Sequence, residues 1–407
     1  MKKIIIFMLI IFLSGSAFAT EYTLYKKMGL TNPKWDLDVE KGFNRYETFR
    51  YDEAMTYLER AVNSGCDDGL VLYRLAACYA NDEQYKKSIE YFKRSVKSLR
   101  SRYTKHRYYS DAYYNLGSAY MRLNDLESAA SQYEESIRIN PKNFNALKGL
   151  GFVCYEKGNL NKAAKYFRDA LNINPKDSSS LLKLATIHRR LKENDKALSY
   201  LNEALECNPN SYKVYVSMGV TYDALGDIDK SIECFKKALE LKEDALTYSY
   251  LGIAYMKKNN FQEAESYFLK AEKINPTLKE ALFNLGLLYF NNSEFDKARE
   301  QYELALREYP DDIAALSMLG IIEEKAGNFD KAVECYQKAL SVDKTIPVIH
   351  LNLANINFEL KKWDTAVSHY RAFIKYSKDT TMNKEVEQKI SECEKMLSGD
   401  GRKSDEL

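Results

Sequence analysis

The sequence predicts an all-α solenoid of repeated helix–turn–helix units, and a period of about 34 residues is the first observation behind this prediction. Small residues recur at this spacing, with one shorter step, over eight successive units. They are Gly117, Gly151, Ala185, Gly219, Gly252, Gly286, Gly320 and Ala354. A period of this length is typical of stacked supersecondary units that bury a continuous core between neighbours.

The second observation is the size of the residues that lie between these recurring small residues, which are called the grid residues below. If each grid residue is counted as position 8 of its unit, small residues also fill most of positions 20 and 27, and a large residue fills position 24. The position-24 residues are Tyr133, Phe167, Leu201, Phe235, Phe268, Tyr302, Tyr336 and Tyr370. Small residues let helix backbones approach closely and large ones fill the space between them. This pattern predicts two packed helices in each unit.

The third observation concerns where each helix ends. The first helix is followed by Asn124, Gly158, Gly226, Asn259 or Gly327 in five of the units, and both residue types tolerate the left-handed conformation that ends a helix. The second helix is followed by a proline, which cannot continue it. These prolines are Pro141, Pro175, Pro209, Pro276 and Pro310. Each unit is therefore predicted to be a helix, a short turn, a second helix and a stop.

These residues resemble the tetratricopeptide repeat (TPR) family, whose first helix is closely matched by residues 113–120. The resemblance implies a right-handed superhelical TPR α-solenoid and covers roughly residues 35 to 376. It departs from the family at the position that usually holds tyrosine, which is position 11. The departures are Cys154, His188, Glu323 and Asn357. We expect them to thin the packing locally without threatening the fold.

The chain is predicted to contain six segments, which are a signal peptide (1–19), an N-terminal linker (20–34), two divergent TPR-like units (35–109), eight regular TPR units (110–376), a capping helix (381–397) and a disordered tail (398–407). The divergent units include a basic insert near 97–109. The capping helix is predicted from apolar residues at helical spacing, Val386, Ile390, Cys393 and Leu397, since a terminal unit needs a cover.

Residues 1–19 have the three-part layout of a secretory signal peptide. Lys2 and Lys3 precede an apolar run, and a cleavage-like site ends at Ala19. We expect export with cleavage after Ala19, most simply to a bacterial periplasm or the medium; an uncleaved anchor is the alternative. The last five residues, 403–407, resemble the retrieval tails of lumenal proteins, which leaves a lumenal co-chaperone-like adaptor of the endoplasmic reticulum as a second destination.

Charge and chemistry-bearing residues argue against several function classes. The 60 basic and 58 acidic residues become equal in number once the signal is removed, so no general attraction to nucleic acid is expected. The four histidines have no metal-ligand neighbours at helical spacing, and no catalytic or phosphate-binding motif is present. We therefore expect no enzyme, no cofactor and no metal.

Seven cysteines are many for an exported chain, and no Cys-x-x-Cys pair occurs among them. We expect buried free thiols. The alternative is a disulfide, for which Cys207 and Cys234 on neighbouring units are the first pair to consider.

The TPR resemblance implies a concave groove lined by positions 2, 5, 9 and 12 of each first helix. In this chain those positions are largely apolar and aromatic, and exposed apolar patches commonly mark binding sites. The predicted groove residues are Tyr114, Phe152, Tyr155, Val220, Ile253, Met256, Phe283, Leu287, Phe290 and Phe358. The core of one unit is instead assigned to Leu282, Leu285 and Tyr289. The alternative is that tight winding buries the groove residues against neighbouring units.

Asn115, Asn284 and Asn352 hold position 6, where asparagines of some TPR proteins bond the backbone of a bound peptide, since an amide both donates and accepts. The alternative is that they are consensus residues of the repeat. The family's carboxylate clamp is not matched, because Phe152 stands where the clamp has asparagine. The predicted function is a non-enzymatic exported scaffold that binds a peptide or protein partner; no oligomeric state is predicted.

A basic stretch offers a second mode of binding. Residues 91–110 contain no acid, and seven residues are inserted there relative to the repeat. The insert contributes Lys97, Arg100, Arg102, Lys105 and Arg107. An envelope-surface adaptor that docks on an anionic surface through this insert is the alternative function. A solvated, elongated helix is the structural alternative.

Overall fold

The computed structural model describes residues 22, 25–26, 29–102 and 107–398, without the side chains of residues 101, 102 and 107. This part of the chain is all-helical and contains no strand, as the sequence predicts. Its helices are α1 (Asp36–Glu47), α2 (Tyr51–Asn63), α3 (Gly69–Asn81), α4 (Tyr85–Arg102), α5 (Arg107–Arg122), α6 (Leu126–Ile139), α7 (Phe144–Glu156), α8 (Leu160–Ile173), α9 (Ser178–Arg190), α10 (Asn194–Cys207), α11 (Tyr212–Leu225), α12 (Ile228–Leu241), α13 (Ala245–Lys257), α14 (Phe261–Ile274), α15 (Lys279–Asn291), α16 (Phe295–Glu308), α17 (Ile313–Lys325), α18 (Phe329–Val342), α19 (Pro347–Glu359), α20 (Trp363–Tyr376) and α21 (Thr380–Ser398).

The helices fall into two compact bodies, which are described separately. The N-terminal body ends at Pro209 and contains the five helix pairs from α1/α2 to α9/α10. The C-terminal body begins at Asn210 and contains the five pairs from α11/α12 to α19/α20, followed by α21. The odd-numbered member of each pair is called its first helix below.

The sequence period has a steric cause at position 8. A Cβ atom added to Gly219 would lie 2.5 Å from the ring of Phe235, and one added to Gly320 would lie 2.5 Å from the ring of Tyr336. In such a pair the glycine of the first helix thus leaves room for the position-24 ring of the second helix. The rings fill that room completely, since Phe167, Phe268 and Tyr302 have no exposed surface. This close approach of helix and ring is the unit that repeats.

The turn inside each pair has the same backbone conformation regardless of its residue type. One residue in each of the ten turns has φ between +56° and +81°. They are Phe49, Glu83, Asn124, Gly158, Lys192, Gly226, Asn259, Ser293, Gly327 and Lys361. The expected glycines and asparagines fit this left-handed conformation, but half of the turns adopt it with other residues. Packing of the two helices therefore imposes the turn, and glycine only makes it easier.

The segment before α1, predicted to be a linker over residues 20–34, contributes to the core. Tyr25 is fully buried and its ring meets the ring of Phe43 edge-on, with centroids 5.8 Å apart. Tyr22 is nearly buried as well and stacks on Tyr25. The two tyrosines belong to the same buried cluster as Phe43 of α1. The sequence did not predict that Tyr22 and Tyr25 are core residues, because the segment is too short to show a helical period.

The departures from tyrosine at position 11, Cys154, His188, Glu323 and Asn357, are all buried. The three polar ones make hydrogen bonds inside the protein; Asn357, for example, donates to the carbonyl oxygen of Leu353 at 2.7 Å. At these three positions a hydrogen-bonded polar side chain therefore takes the place of the usual tyrosine ring.

The helix α21 covers the end of the last pair. Cys393 and Val386 are buried against α20, and Arg371 of α20 pairs with Glu394 of α21 at 2.9 Å. Leu397, which was expected to join this contact, is 45% exposed. Ser398 closes α21 instead of beginning a tail, and residues 399–407 lie outside the described residues.

All seven cysteines are free thiols in the described chain, and Cys207 and Cys234 form no disulfide. Five are buried, and Cys207 and Cys335 are half-buried. Burial raises the pKa of the thiols of Cys66 and Cys234 to about 11 and that of Cys78 to about 12. Such thiols are protonated at neutral pH and therefore poor nucleophiles.

Candidate functional site

Within each body, most of the predicted groove residues form a half-buried stripe on the first helices. On α15, Leu282, Leu285 and Tyr289 are buried in the core. Phe283, Leu287 and Phe290 are half-buried on another side of the same helix. The two sets separate because positions 5, 9 and 12 share one helix face and positions 4, 7 and 11 share another.

The aromatic members of the stripe contact aromatic rings of their own helix pair. Phe283 meets Tyr302 with ring centroids 5.6 Å apart, and Phe290 meets Phe295 at 5.5 Å. The same arrangement recurs in the pairs Tyr114–Tyr133, Phe152–Phe167 and Phe358–Trp363. Each ring is thus shared between core and surface. A substitution there would disturb packing as well as any ligand.

The aliphatic members of the stripe lie in the C-terminal body. Val220, Ile253, Met256 and Leu287 are all half-buried. Ile253 and Met256 pack against the same core as Phe283 and Phe290, whereas Leu287 is not part of that packing. Leu287 is therefore the apolar side chain of this stripe that can be changed with least effect on the core.

Tyr155 is the exception among the predicted groove residues, because it is buried. The guanidinium carbon of Arg190 lies 4.4 Å from its ring centroid, and the ammonium nitrogen of Lys183 lies 5.0 Å from it. A ligand on this part of the N-terminal body would therefore meet the two cations before the tyrosine ring.

The three position-6 asparagines already use an amide N–H within the chain. Asn115 donates to the hydroxyl of Tyr73 at 2.8 Å, and Asn352 donates to the hydroxyl of Tyr336 at 3.2 Å. Asn284 donates to the carbonyl oxygen of Glu280, one turn earlier in α15, at 2.6 Å. These bonds fix the amide planes, and each side chain retains a carbonyl oxygen and a second N–H for a ligand backbone.

The basic insert lies where α4 ends and α5 begins. Lys97 and Arg100 are exposed on α4. Arg102 ends α4 and Arg107 begins α5, but their side chains are not described, and Lys105 lies outside the described residues. The insert thus lengthens α4 to 18 residues, compared with 14 in most second helices.

Position 6 of two first helices carries a cation that the sequence pattern alone did not single out. Arg74 on α3 lies over the ring of Tyr46 of the preceding pair at 4.4 Å. Lys183 on α9 lies 4.9 Å from the ring of Phe152 of the preceding pair. The sequence does contain a signal for this contact. An aromatic residue holds position 9 or 12 of one unit, and a basic residue holds position 6 of the next unit.

The described residues contain no group of three or more His, Cys, Asp or Glu side chains that could hold a metal ion. Among the described helices, none combines the length and the apolar character needed to cross a membrane.

Four family models match the chain. A model described as the cilia and flagella-associated protein 70 C-terminal domain, a TPR domain by its model name, matches residues 18–247. Tetratricopeptide repeat models match residues 216–279 and 251–313, residues 313–345 and residues 350–380. None of these models describes a catalytic family. A search of curated proteins gave no match.

Three solved structures are similar to the chain. The crystal structure of yeast Tom70 is 19% identical, with a TM-score of 0.51 over 94% of this chain and 98% of that chain. A crystal structure of the MamA protein is 28% identical, with a TM-score of 0.36 over 41% of this chain and 92% of that chain. A tetratricopeptide repeat protein from Parabacteroides merdae is 18% identical, with a TM-score of 0.46 over 61% of this chain and 98% of that chain. The likeness to Tom70 shows the fold alone.

Proposed function

Because the chain belongs to the tetratricopeptide repeat family, and over residues 18–247 to the cilia and flagella-associated protein 70 C-terminal domain family, we propose that it is a non-enzymatic scaffold that binds a peptide or protein partner along its first helices. The half-buried apolar stripe of the C-terminal body carries this proposal. Apolar side chains that a repeat leaves partly open on one face are suited to anchor a partner.

The anchor set has the composition of a peptide-binding surface. Phe283 and Phe290 offer rigid aromatic faces, and Leu287 lies between them along α15. The amide of Asn284 on the same helix is held in a fixed orientation by its bond to Glu280. Apolar anchors give affinity and a fixed amide gives orientation to a bound backbone.

A Leu287→Glu variant tests this proposal. Short peptides are selected from a display library on the wild-type protein, and their affinities for the variant are measured by fluorescence anisotropy. We expect affinity to fall by about tenfold or more, since a charge replaces an apolar side chain that the bound peptide would cover. The thermal midpoint should change little because Leu287 does not pack against the core that Phe283 and Phe290 join.

Leu269→Glu on α14 is the matched control, because Leu269 is exposed on a second helix of the same body. It introduces the same charge away from the stripe and should leave affinity unchanged. Equal affinities of the selected peptides for both variants would remove the stripe from the binding site.

Export is the second part of the proposal. The N-terminal sequence supports it, and so does the position of the expected cleavage site. Cleavage after Ala19 would remove the apolar run and keep Tyr22 and Tyr25, which pack on the first helix pair. N-terminal sequencing of the mature protein should begin at Thr20. A full-length chain in the cytosol would contradict export, and retention in a lumenal compartment would favour the co-chaperone-like alternative.

A further inference from the structure

We propose that the hydroxyl of Tyr302, buried beneath the apolar stripe of the C-terminal body, donates a hydrogen bond to a backbone carbonyl of the bound peptide. This inference rests on the proposed function and deepens it, since it adds a polar contact to the apolar stripe. Tyr302 is the position-24 residue of the α15/α16 pair and has no exposed surface. Its hydroxyl oxygen is without a hydrogen-bond partner in the part of the chain that the structure describes.

The equivalent tyrosines of the next two helix pairs do have a partner, and it lies on a first helix. Tyr336 donates to Glu324 Oε2 at 3.0 Å and accepts from Asn352 Nδ2 at 3.2 Å. Tyr370 donates to Asn355 Oδ1 at 2.9 Å. These partners hold positions 12 and 9 of the same unit and position 6 of the next unit. The hydroxyl of a position-24 tyrosine is therefore directed at the first-helix face, at or beside the positions that form the stripe.

Around Tyr302 the same three positions are apolar. Position 9 is Leu287, position 12 is Phe290, and position 6 of the next first helix, α17, is Met318. None of these side chains has an oxygen or a nitrogen that could accept the hydroxyl proton. The change of residue type at these positions therefore leaves the Tyr302 hydroxyl unpaired.

The Tyr302 ring is placed like its counterpart in the next pair. A Cβ added to Gly286 would lie 2.9 Å from Cζ of Tyr302, and a Cβ added to Gly320 would lie 2.9 Å from Cζ of Tyr336. The Cζ atom carries the hydroxyl, so in both pairs this end of the ring lies against the first helix. Phe283 of the stripe also meets the Tyr302 ring, with centroids 5.6 Å apart.

A buried hydroxyl without a partner destabilises the folded chain, because it has lost its hydrogen bonds to water. Burial alone raises the pKa of Tyr302, whereas Glu324 also contributes to the raised pKa of Tyr336. A phenylalanine fills the same place without this cost, as Phe167 and Phe268 do at position 24 of other units. An acceptor that arrives with a ligand would account for the hydroxyl.

The side chains around the hydroxyl can make way for a ligand. Met318 and Leu287 are half-buried, and Leu287 is not part of the core that Phe283 and Phe290 join. Methionine is unbranched and changes its conformation readily. A peptide that moves Met318 aside reaches the hydroxyl between α15 and α17.

An extended apolar segment suits this contact better than a helix. The backbone carbonyls inside a helix are already bonded, whereas those of an extended chain are free to accept. Alternate side chains of such a segment point to one side, where they would contact Phe283 and Phe290. A carbonyl between these side chains would then accept from Tyr302.

The test compares the wild type with a Tyr302→Phe variant, and its probe is a peptide selected from the display library on the wild-type protein. We expect the affinity of this peptide, measured by fluorescence anisotropy, to fall by about fivefold or more, since a buried carbonyl loses its donor. The thermal midpoint should not fall, because the variant loses only an unpaired hydroxyl. Unchanged affinity would overturn the proposal, and a lower midpoint with unchanged affinity would assign the hydroxyl to an internal water.

Tyr336→Phe is the matched control. It removes a hydroxyl from the equivalent place in the next pair, where Glu324 and Asn352 already hold it. This variant should lower the thermal midpoint and leave the affinity unchanged. Equal losses of affinity in the two variants would mean that binding responds to any disturbance beneath the stripe, and the proposal would be wrong.

Backbone esters in the peptide identify the acceptor. Each amide of the selected peptide is replaced in turn by an ester, whose carbonyl is a weaker acceptor. At one position the ester should weaken binding to the wild type more than binding to the Tyr302→Phe variant, because both changes remove the same hydrogen bond. If no ester shows this coupling, a backbone carbonyl is not the partner of Tyr302.

The outcomes also separate this inference from the proposed function. If Tyr302→Phe binds the selected peptide like the wild type while Leu287→Glu loses affinity, this inference falls and the proposed function stands. If neither substitution affects the affinity, both fall.

Discussion

Polar residues that replace the ring at position 11 illustrate how single side chains are accommodated in the repeat. His188 Nδ1 lies 2.5 Å from a carboxylate oxygen of Glu193, and its ring stacks on Tyr200 with centroids 5.3 Å apart. The hydrogen bond from His188 holds the pKa of the Glu193 carboxyl below its usual value. A polar ring with a local partner thus occupies the space of a tyrosine.

Glu323 places a charged side chain at position 11. Its carboxylate accepts hydrogen bonds from Arg299 Nε at 2.6 Å and Asn328 Nδ2 at 2.8 Å. Burial alone would raise the pKa of this carboxyl, but the bonds from Asn328 and Arg299 outweigh it and keep the pKa below its usual value. A buried charge is stable only when its partners are present, so Glu323 and Arg299 depend on each other.

The two histidines of the last pair give a pH prediction. His350 Nε2 lies 3.0 Å from the carbonyl oxygen of Lys344, so this nitrogen carries the proton and donates. His350 Nδ1 is then the acceptor for His369 Nδ1, 3.1 Å away. Burial, and then the neighbouring His350, lower the pKa of His369 from its usual 6.5.

A lowered histidine pKa means that the folded chain resists protonation. Well above pH 6.5 the His369 ring is neutral in the folded and the unfolded chain, so protonation does not reduce the free energy of unfolding. As the pH falls through 6.5, the unfolded chain takes up the proton before the folded chain does, so the free energy of unfolding decreases. The thermal midpoint of the wild type should therefore drop between pH 7.5 and pH 5. The His369→Gln variant should show a smaller drop. An unchanged slope would contradict this account of the pair.

At the scale of the helix, α7 contains two glycines whose replacement by alanine should have different effects on stability. A Cβ on Gly149 would lie 2.6 Å from the ring of Tyr133, whereas a Cβ on Gly151 would lie 3.1 Å from that of Phe167. Alanine gains about 1 kcal/mol over glycine in a helix at either site. Overpacking costs about 1–3 kcal/mol where the ring cannot move.

We therefore expect Gly149→Ala to lower the thermal midpoint and Gly151→Ala to leave it nearly unchanged. Both residues lie in one helix, so each variant controls for the helix propensity of the other. Differential scanning calorimetry measures both midpoints. A larger loss for Gly151→Ala would mean that contacts at position 8, not at position 6, set the spacing between neighbouring helices.

For the molecule as a whole, the repeat could be predicted because its rule is local. The small residue at position 8, the ring at position 24 and the proline that ends the unit all lie within a single unit of the sequence, and each has one steric role. The helix pairs follow from these roles. The turns at Phe49, Lys192 and Lys361 show the limit of such rules, because packing imposes there a conformation that the residue does not favour.

The candidate site was harder to predict because it depends on contacts between units. The sequence pattern does not show that Arg74 lies between aromatic rings, because Tyr46 belongs to the preceding pair and Tyr108 to the following pair. The core contribution of Tyr25 likewise depends on Phe43 and not on any period. Contacts of this kind involve residue pairs that a single sequence does not connect.

The nearest-neighbour character of the repeat leads to a prediction about the end of the C-terminal body. Removing α21 by a stop after Ser377 would expose the side of α20 that Val386 and Cys393 cover. In a linear array each unit depends on its neighbours alone, so the loss should decay with distance along the chain. Amide hydrogen exchange should therefore speed up most in α19 and α20, less in α17 and α18, and not at all in the N-terminal body. Equal acceleration throughout the chain would mean that the units unfold as one cooperative block, and the effect of a terminal cap would then be global.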